Sequence, residues 1–258
     1  MLDVWMNDSS YNHGFFIFPI SFWLIYQNKT QILNTQTTLE IRTLVLFIPA
    51  LLLWYISSSI SINVVEQLSM ISIILITVWM LLGSKIFSIT IFPLAFLFLS
   101  VPLGKSLIPI LMEITAYMTV SLTKLVGIPI YSDGMYFTLP TGNWSVVEAC
   151  SGLNYLIASI TLGVLYAYLT YQSLSKRIIF VLFITFFSIV ANGLRAFGIV
   201  MIGHYSKMEY GTGGDHTFYG WIFYGVVIFL IFYIGSFWKE APNLPIDVMS
   251  TNHSTTTK

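Results

Sequence analysis

The stretch from Ile178 to Ile202 most limits what this chain can fold into, because Arg195 is its only charged residue. A run of about 20 apolar residues is long enough to cross the hydrocarbon core of a bilayer as a helix. Across the chain, hydrophobic residues make up 56% and charged residues 9%, whereas soluble domains carry about 25% charged residues. The sequence therefore predicts an all-α, polytopic integral membrane protein.

Apolar segments follow one another along the chain after the polar residues 1–13. They cover approximately residues 15–26, 41–58, 68–83, 86–104, 107–126, 150–171, 178–202 and 217–237. A polar region at 127–149 contains Pro and Gly pairs and short alternating runs, which predict turns and a small hairpin. We expect residues 1–238 to form one transmembrane domain and residues 239–258 a polar, disordered cytoplasmic tail.

Positive charges between the apolar segments predict which loops face the cytoplasm. These charges are Lys29 with Arg42, Lys85, Lys176 with Arg177, and Lys239. Between Lys85 and Lys176 the chain must cross the membrane an even number of times, yet three apolar segments lie there. Residues 107–126 carry the most polar side chains of the three, so we expect them to lie at the outer interface. This leaves about seven spans, with residues 127–149 outside.

Three reactive side chains are predicted to lie at one membrane depth, near the outer boundary. A helix from the cytoplasmic Arg177 to Arg195 is roughly 27 Å long at about 1.5 Å per residue, close to the hydrocarbon thickness of about 30 Å. Counting back from Lys176 and from Lys239 puts Cys150 and His216 at the same depth. Together they suggest a Cys150 nucleophile, a His216 acid and base, and an Arg195 that holds negative charge.

Each of these residues also has a simpler interpretation. Cys150 is the only cysteine, and a lone cysteine in a membrane protein is often a small apolar filler, although a helix start favours its thiolate. The simpler interpretation of Arg195 is a snorkelling or structural cation, and that of His216 is a surface residue at a helix start. A packing role and a catalytic role both remain open for each residue taken alone.

Three further polar residues are candidates for supporting roles. Glu148 and Asp215 flank the predicted site and would orient His216, or would have no role in it. Asn192 lies one helical turn before Arg195, where it would hydrogen-bond inside the site or pack between helices. No metal or other cofactor is expected, since the alternative ligand set of Cys150, His204, His216 and Glu148 lacks zinc-motif spacing.

Ordered motifs run through nearly the whole chain, from Ser10 to Lys239. The first group is Ser10-Tyr11-Asn12-His13-Gly14, Phe92-Pro93, Val101-Pro102-Leu103-Gly104, Gly127-Ile128-Pro129 and Pro140-Thr141-Gly142-Asn143-Trp144. The most specific are Val147-Glu148-Ala149-Cys150-Ser151-Gly152-Leu153, Ala191-Asn192-Gly193-Leu194-Arg195, and Gly214-Asp215-His216 with Tyr219-Gly220-Trp221. In these motifs the chain resembles the exosortase/archaeosortase family of membrane cysteine transpeptidases, and closely the exosortase A type.

The resemblance implies a Gram-negative inner-membrane enzyme whose active site faces the periplasm. Its substrates would be exported proteins with a C-terminal PEP-CTERM signal, namely a Pro-Glu-Pro motif, a transmembrane helix and a basic tail. The family's catalytic Cys, Arg and His correspond to Cys150, Arg195 and His216. Such enzymes commonly accompany exopolysaccharide production, which implies a role in the envelope.

The chain departs from the family pattern in two places. Members usually have a further hydrophobic helix ahead of the Tyr-x-His-Gly motif, and this chain starts almost at that motif. Asn154 stands where many members have an Arg, so a role that depends on a charge at that position cannot be transferred from the family to this chain.

A polytopic chain with few charges inside the membrane also fits two other classes of function, a transporter and a non-catalytic assembly subunit. A transporter should show inverted repeats and polar residues at mid-membrane, whereas here the polar residues gather on one side. A non-catalytic assembly subunit of an export system would hold Cys150 as a packing residue, unreactive from outside. No basic run, nucleotide loop or zinc-finger spacing indicates nucleic-acid binding.

Overall fold

A computed structural model describes the backbone of residues 1–210 and 215–239 and the side chains of residues 1–210 and 220–239. Residues 240–258, which make up most of the predicted tail, lie outside the described residues. The helices are α1 Leu2–Asn7, α2 Gly14–Gln27, α3 Lys29–Leu33, α4 Leu44–Ser59, α5 Asn63–Phe96, α6 Ile108–Leu125, α7 Leu153–Thr170, α8 Leu174–Tyr205 and α9 Asp215–Ser236. The strands are β1 Tyr131–Asp133, β2 Tyr136–Leu139 and β3 Gly142–Ser145. The predicted all-α membrane architecture is confirmed.

Helix α5 contains a complete reversal at Gly83, which has φ 85° and ψ 168°. On either side of it Trp79 stacks on Phe87 with ring centroids 4.9 Å apart. Further from it, Ile71 shares a core cluster with Leu94. The two arms therefore run antiparallel, and they correspond to the separate apolar segments that the sequence predicted around Lys85.

In the described part of the chain, five helical stretches are long and apolar enough to cross a membrane. They are Ile41–Ser59, Asn63–Ser100, Lys105–Leu125, Glu148–Thr170 and Leu174–Tyr205. The second contains the reversal, so it supplies two arms, while α2 and the apolar stretch Gly220–Ser236 are shorter. The predicted count of about seven spans stays a prediction.

Helix α4 shows the surface expected of a helix that faces lipid. Ser57 is its only buried residue, whereas Val45 is 75% exposed. Small hydroxyl residues are also buried elsewhere in the bundle, for example Thr119 and Ser159. Small polar residues inside and large apolar residues outside are typical of helices packed in a bilayer.

Helices α7, α8 and α9 form one unit whose two ends are easily told apart. At the end near Arg177, Tyr171 donates a hydrogen bond of 2.6 Å to the carbonyl of Gly235 and packs with Phe180 and Ile231. We call this the Arg177 end. The opposite end, where α7 begins and α8 finishes, is called the Cys150 end. Helix α8 runs without interruption from Leu174 to Tyr205. Arg195 therefore lies far from Arg177 along this helix, as the helical rise predicted.

Helix α6 packs along only the part of α8 that lies toward the Cys150 end. Its start clusters near Ile189, Met118 lies against Gly193, and Val120 clusters with Val200. Although its length and hydropathy suffice for a span, α6 does not reach the Arg177 end of α8. That α6 lies at the outer interface stays a prediction.

The region at 127–149 forms a three-stranded antiparallel sheet in the order β1-β2-β3. Both connections are tight: Asp133 pairs with Tyr136, and Leu139 pairs with Gly142. Phe137 and Leu139 point inward and cluster with Ala116 of α6. The sheet therefore lies on α6 and α8 at the Cys150 end, a larger element than the small hairpin that the sequence predicted.

Candidate active site at the Cys150 end

The Cys150 turn joins the sheet to α7. A short 3-10 helix, Glu148–Cys150, is closed by a 2.8 Å bond from the Cys150 N–H to the carbonyl of Val147. Gly152 follows in the left-handed conformation with φ 81°, and α7 begins at the next residue. Cys150 is half-buried. The thiol thus lies just before a helix N-terminus, where free N–H groups and the helix dipole favour negative charge.

Asn192 of α8 fixes this turn through a hydrogen bond to its main chain. Its Nδ2 donates one hydrogen bond of 3.0 Å to the carbonyl of Cys150 and another of 3.0 Å to Thr115 Oγ1 on α6. A Cβ on Gly152 would overlap Asn192 Cγ. The turn therefore requires glycine for two reasons, its backbone conformation and its closeness to Asn192. Asn192 therefore links α8 to α6 and to the Cys150 turn, while its predicted role inside a catalytic site stays a prediction.

Arg195 lies one turn beyond Asn192 and is only 8% exposed. Its Nε and Nη1 atoms are buried without a hydrogen-bond acceptor among the described residues. The guanidinium carbon lies 5.2 Å from the centre of the Tyr155 ring. A Cβ on Gly220 of α9 would lie 2.7 Å from Arg195 Nε. Arg195 thus lies between α7 and α9 as a buried cation with free donors, an arrangement that favours an anionic or carbonyl ligand.

A chain of hydroxyl groups fixes α9 against α7 and α8 near Arg195. Ser188 donates to Ser159 at 2.6 Å, Ser159 and Tyr224 lie 2.8 Å apart, and Tyr224 donates to the carbonyl of Tyr155 at 3.0 Å. Because Tyr155 also faces Arg195, this network sets the distance between α9 and the guanidinium.

The side chains of His216 and Asp215 lie outside the described residues. Their backbone forms the first turn of α9. His216 is four residues before Gly220, so helical periodicity puts both positions on the same side of α9. The structure therefore brings the start of α9, Arg195 and the Cys150 turn to one end of the bundle, while the placement of the imidazole stays a prediction.

Glu148 is exposed at the start of the Cys150 turn. Burial first, and then the negative charges of Asp8 and Glu148, raise the pKa of Tyr11 to about 12. The Glu148 carboxylate is thus close enough to the N-terminal segment to raise the pKa of Tyr11. Its predicted role in orienting His216 stays a prediction.

The N-terminal motif packs directly against the Cys150 end. Asn154 accepts a hydrogen bond from Ser10 and donates one of 3.1 Å to Ser9. Tyr11 donates to the carbonyl of Leu103 at 2.9 Å. Asn154, where an Arg was expected, is therefore a neutral anchor for this segment.

A cavity of about 300 Å³ opens beside Cys150. Its lining comes from β3 and the following residues, from Thr119 of α6, and from Ala196, Ile199 and Val200 of α8. Trp144 also lines it, and its indole lies against Gly203, where a Cβ would overlap it. Trp144 belongs to the motif Pro140-Thr141-Gly142-Asn143-Trp144, and no role for it was predicted. A glycine on α8 opposite a large aromatic residue was the available signal for close packing.

The alternative metal ligands do not gather in the described part of the chain. His204 Nδ1 lies 2.8 Å from Thr141 Oγ1 and so has a polar partner in the sheet. Among the side chains of residues 1–210 and 220–239, no group of three His, Cys, Asp or Glu residues could hold a metal ion.

Comparison with known proteins gives one match. A family model described as transmembrane exosortase covers residues 5–233 of the chain. No curated protein and no solved structure matches.

Proposed function

The chain belongs to the transmembrane exosortase family, and from this premise we propose that it is a cysteine protease and transpeptidase embedded in the bacterial inner membrane. Its substrates would be exported proteins with a C-terminal PEP-CTERM signal, and its type exosortase A. The Arg177 end would face the cytoplasm because Lys176 and Arg177 lie there. The Cys150 end would face the periplasm, where cleavage would serve exopolysaccharide or envelope biogenesis.

One observation carries the proposal: Arg195 is buried, its Nε and Nη1 atoms have no hydrogen-bond acceptor among the described residues, and it lies one helical turn from the amide that holds the Cys150 turn. An uncompensated buried cation is costly unless its donors meet a ligand during function. A tetrahedral intermediate of acyl transfer supplies such a ligand, since its carbonyl oxygen becomes an oxyanion.

The proposed reaction starts when the Cys150 thiolate attacks the scissile carbonyl carbon and forms a C–S bond. The electron pair of the C=O bond moves to oxygen, and Arg195 holds the resulting oxyanion. As the C–N bond breaks, His216 gives a proton to the leaving amine, which carries the substrate's membrane helix and tail away. The product is a thioester on Cys150.

In the second half His216 takes a proton from an acceptor as the acceptor attacks the thioester. An amine acceptor gives a new peptide bond and water gives a free carboxylate, and both release the Cys150 thiolate. Asn192 does not touch the reacting atoms in this scheme. It is a positioning residue, because it fixes the main chain that carries the nucleophile.

The test is co-expression with an exported reporter that ends in a Pro-Glu-Pro motif, an apolar helix and a basic tail, followed by mass analysis of the reporter's C-terminus. The unaltered protein should shorten the reporter at its signal, and Cys150→Ala should abolish this while remaining in the membrane. Unchanged cleavage by Cys150→Ala would overturn the nucleophile assignment. A reporter left intact by the unaltered protein would overturn the peptidase function and favour a transporter or assembly subunit.

A further inference from the structure

Strand β3 has one edge that no described strand covers. It is the last strand in the order β1-β2-β3. The Val146 N–H donates to the carbonyl of Met135 on the β2 side, and backbone groups alternate between the two edges of a strand. The N–H and C=O groups of Asn143 and Ser145 therefore face away from β2. Among the described residues no main-chain group pairs with them there.

The free edge runs toward Cys150. At the far end of the strand, Thr141 meets His204 near the end of α8. Val146 then clusters with Val200, and the Cys150 carbonyl meets Asn192. The chain thus descends along α8 from its end toward the membrane-embedded part, and residues 143–147 of this stretch line the cavity beside Cys150.

Trp144 gives a second, independent indication of a ligand. Its indole Nε1 is buried and has no hydrogen-bond acceptor among the described residues, although this atom is a strong donor. Leaving a buried donor unpaired is costly. A main-chain carbonyl of a peptide in the adjoining cavity is the type of acceptor that would satisfy it.

We propose that the substrate binds by adding a strand to β3, and this rests on the proposed function. The occupant is the extended segment of the exported protein that lies immediately outside its own transmembrane helix. Its backbone pairs with the outward N–H and C=O groups of Asn143 and Ser145, which delivers the scissile carbonyl to Cys150. In strand addition, main-chain hydrogen bonds along the edge supply affinity, and pockets for alternate side chains supply specificity.

The direction of the added strand follows from the geometry. The substrate chain runs from the periplasm toward its membrane helix, and β3 runs from the end of α8 toward Cys150. The two strands are therefore parallel. At about 3.3 Å per residue, the edge from Asn143 to Ser145 accommodates roughly three to four substrate residues.

Single-cysteine cross-linking tests both the pairing and its direction. Cys150 is the only cysteine, so Cys150→Ala with either Asn143→Cys or Ser145→Cys carries one thiol at an exposed position of β3. The partner is the reporter described above, with single cysteines placed along the eight or so residues before its apolar helix. Cys150→Ala with Ser132→Cys on the opposite edge strand is the matched control, and labelling with a maleimide verifies that each thiol is accessible.

The expected result is disulfide formation at alternate reporter positions. The reporter position that reacts best with Asn143→Cys should lie two residues before the one that reacts best with Ser145→Cys, and Ser132→Cys should react with none. The reverse order would overturn the parallel direction. Reaction at every third or fourth position, or no reaction at either β3 position, would overturn strand addition.

A second experiment uses the active protein. Ser145→Pro removes an outward N–H and should lower reporter cleavage about tenfold or more, since a hydrogen bond to the substrate is lost and the ring also blocks the partner strand. Ser132→Pro removes an outward N–H from the opposite edge strand β1 and should cleave normally; equal cleavage by the Ser145→Pro and Ser132→Pro variants would contradict the proposal. The two proposals can fail separately. Strand addition is tested by cross-linking in proteins that lack Cys150, whereas the peptidase function is overturned if Cys150→Ala still cleaves the reporter.

Discussion

Asn192 Nδ2 lies 3.0 Å from the main-chain oxygen of Cys150, so a side chain of α8 holds the backbone of the residue proposed as nucleophile. The same nitrogen also reaches Thr115 on α6. One amide therefore links the Cys150 turn to two helices. A group in this position affects where the thiol sits without touching the substrate.

Replacing Asn192 with Ala should lower kcat for reporter cleavage about 10- to 100-fold with little change in KM. We expect this because misplacing a nucleophile by about 1 Å costs about 100-fold in rate. Asn28→Ala is the matched control, since Asn28 also donates from Nδ2 to a main-chain carbonyl, that of Leu24 at 3.1 Å, but does so on α2. A rise in KM with unchanged kcat would contradict the positioning role.

The Gly152→Ala variant should be both unstable and inactive. Holding Ala in the left-handed conformation costs about 1–2 kcal/mol, and the added methyl group would also overlap Asn192. Gly198→Ala on α8 is the control, because outside the adjacent backbone of α8 no atom of a described residue lies within 4 Å of its new Cβ. Thermal unfolding in detergent should show a lower midpoint for Gly152→Ala and an equal or higher one for Gly198→Ala. Equal midpoints for Gly152→Ala and the unaltered protein would contradict the geometry of the turn.

Replacing Gly220 with Ala should impair catalysis by displacing Arg195 while the protein stays folded. The new methyl carbon would lie 2.7 Å from Arg195 Nε, and this buried side chain must shift to make room. Losing one oxyanion donor costs about 100- to 1000-fold in kcat, so a shifted donor should cost at least about tenfold. The measurement is the rate of reporter cleavage at saturating substrate.

Gly225→Ala on the same helix is the matched control, since outside the adjacent backbone of α9 no atom of a described residue lies within 4 Å of its Cβ. Its cleavage rate should equal that of the unaltered protein. If Gly220→Ala were equally active, the guanidinium would not need its present position, and the assignment of oxyanion stabilisation to Arg195 would be withdrawn.

The helical bundle was predictable from the sequence because its signals are local. The run around Arg195 has the length and hydropathy of a span, and the Lys85 loop separates two apolar segments that the structure joins through the reversal at Gly83. Helical rise alone was also sufficient to place Arg195 far from Arg177 along α8.

The contacts around Cys150 were not predictable, because they depend on how distant segments dock. Nothing near Asn192 in the sequence indicates that its acceptor is the carbonyl of Cys150. Alternation predicted a hairpin before Cys150, but the docking of β3 along α8 depends on Trp144 meeting Gly203. The position of the free strand edge follows only from that tertiary contact.

The stability of the N-terminal segment should decrease as the pH falls from about 7.5 to 5.5. Burial lowers the pKa of His13, although its bond to the carbonyl of Leu99 acts in the opposite direction. Because the folded pKa lies below the unfolded value of about 6.5, the stabilisation is present above that pH and is lost as the pH falls toward the folded pKa. Asp8, whose carboxylate pairs with Lys105, also has a lowered pKa, but it titrates at a more acidic pH. Thermal unfolding in detergent at the two pH values should show this decrease for the unaltered protein and a smaller one for His13→Gln. An equal decrease in both proteins would assign the effect to other groups.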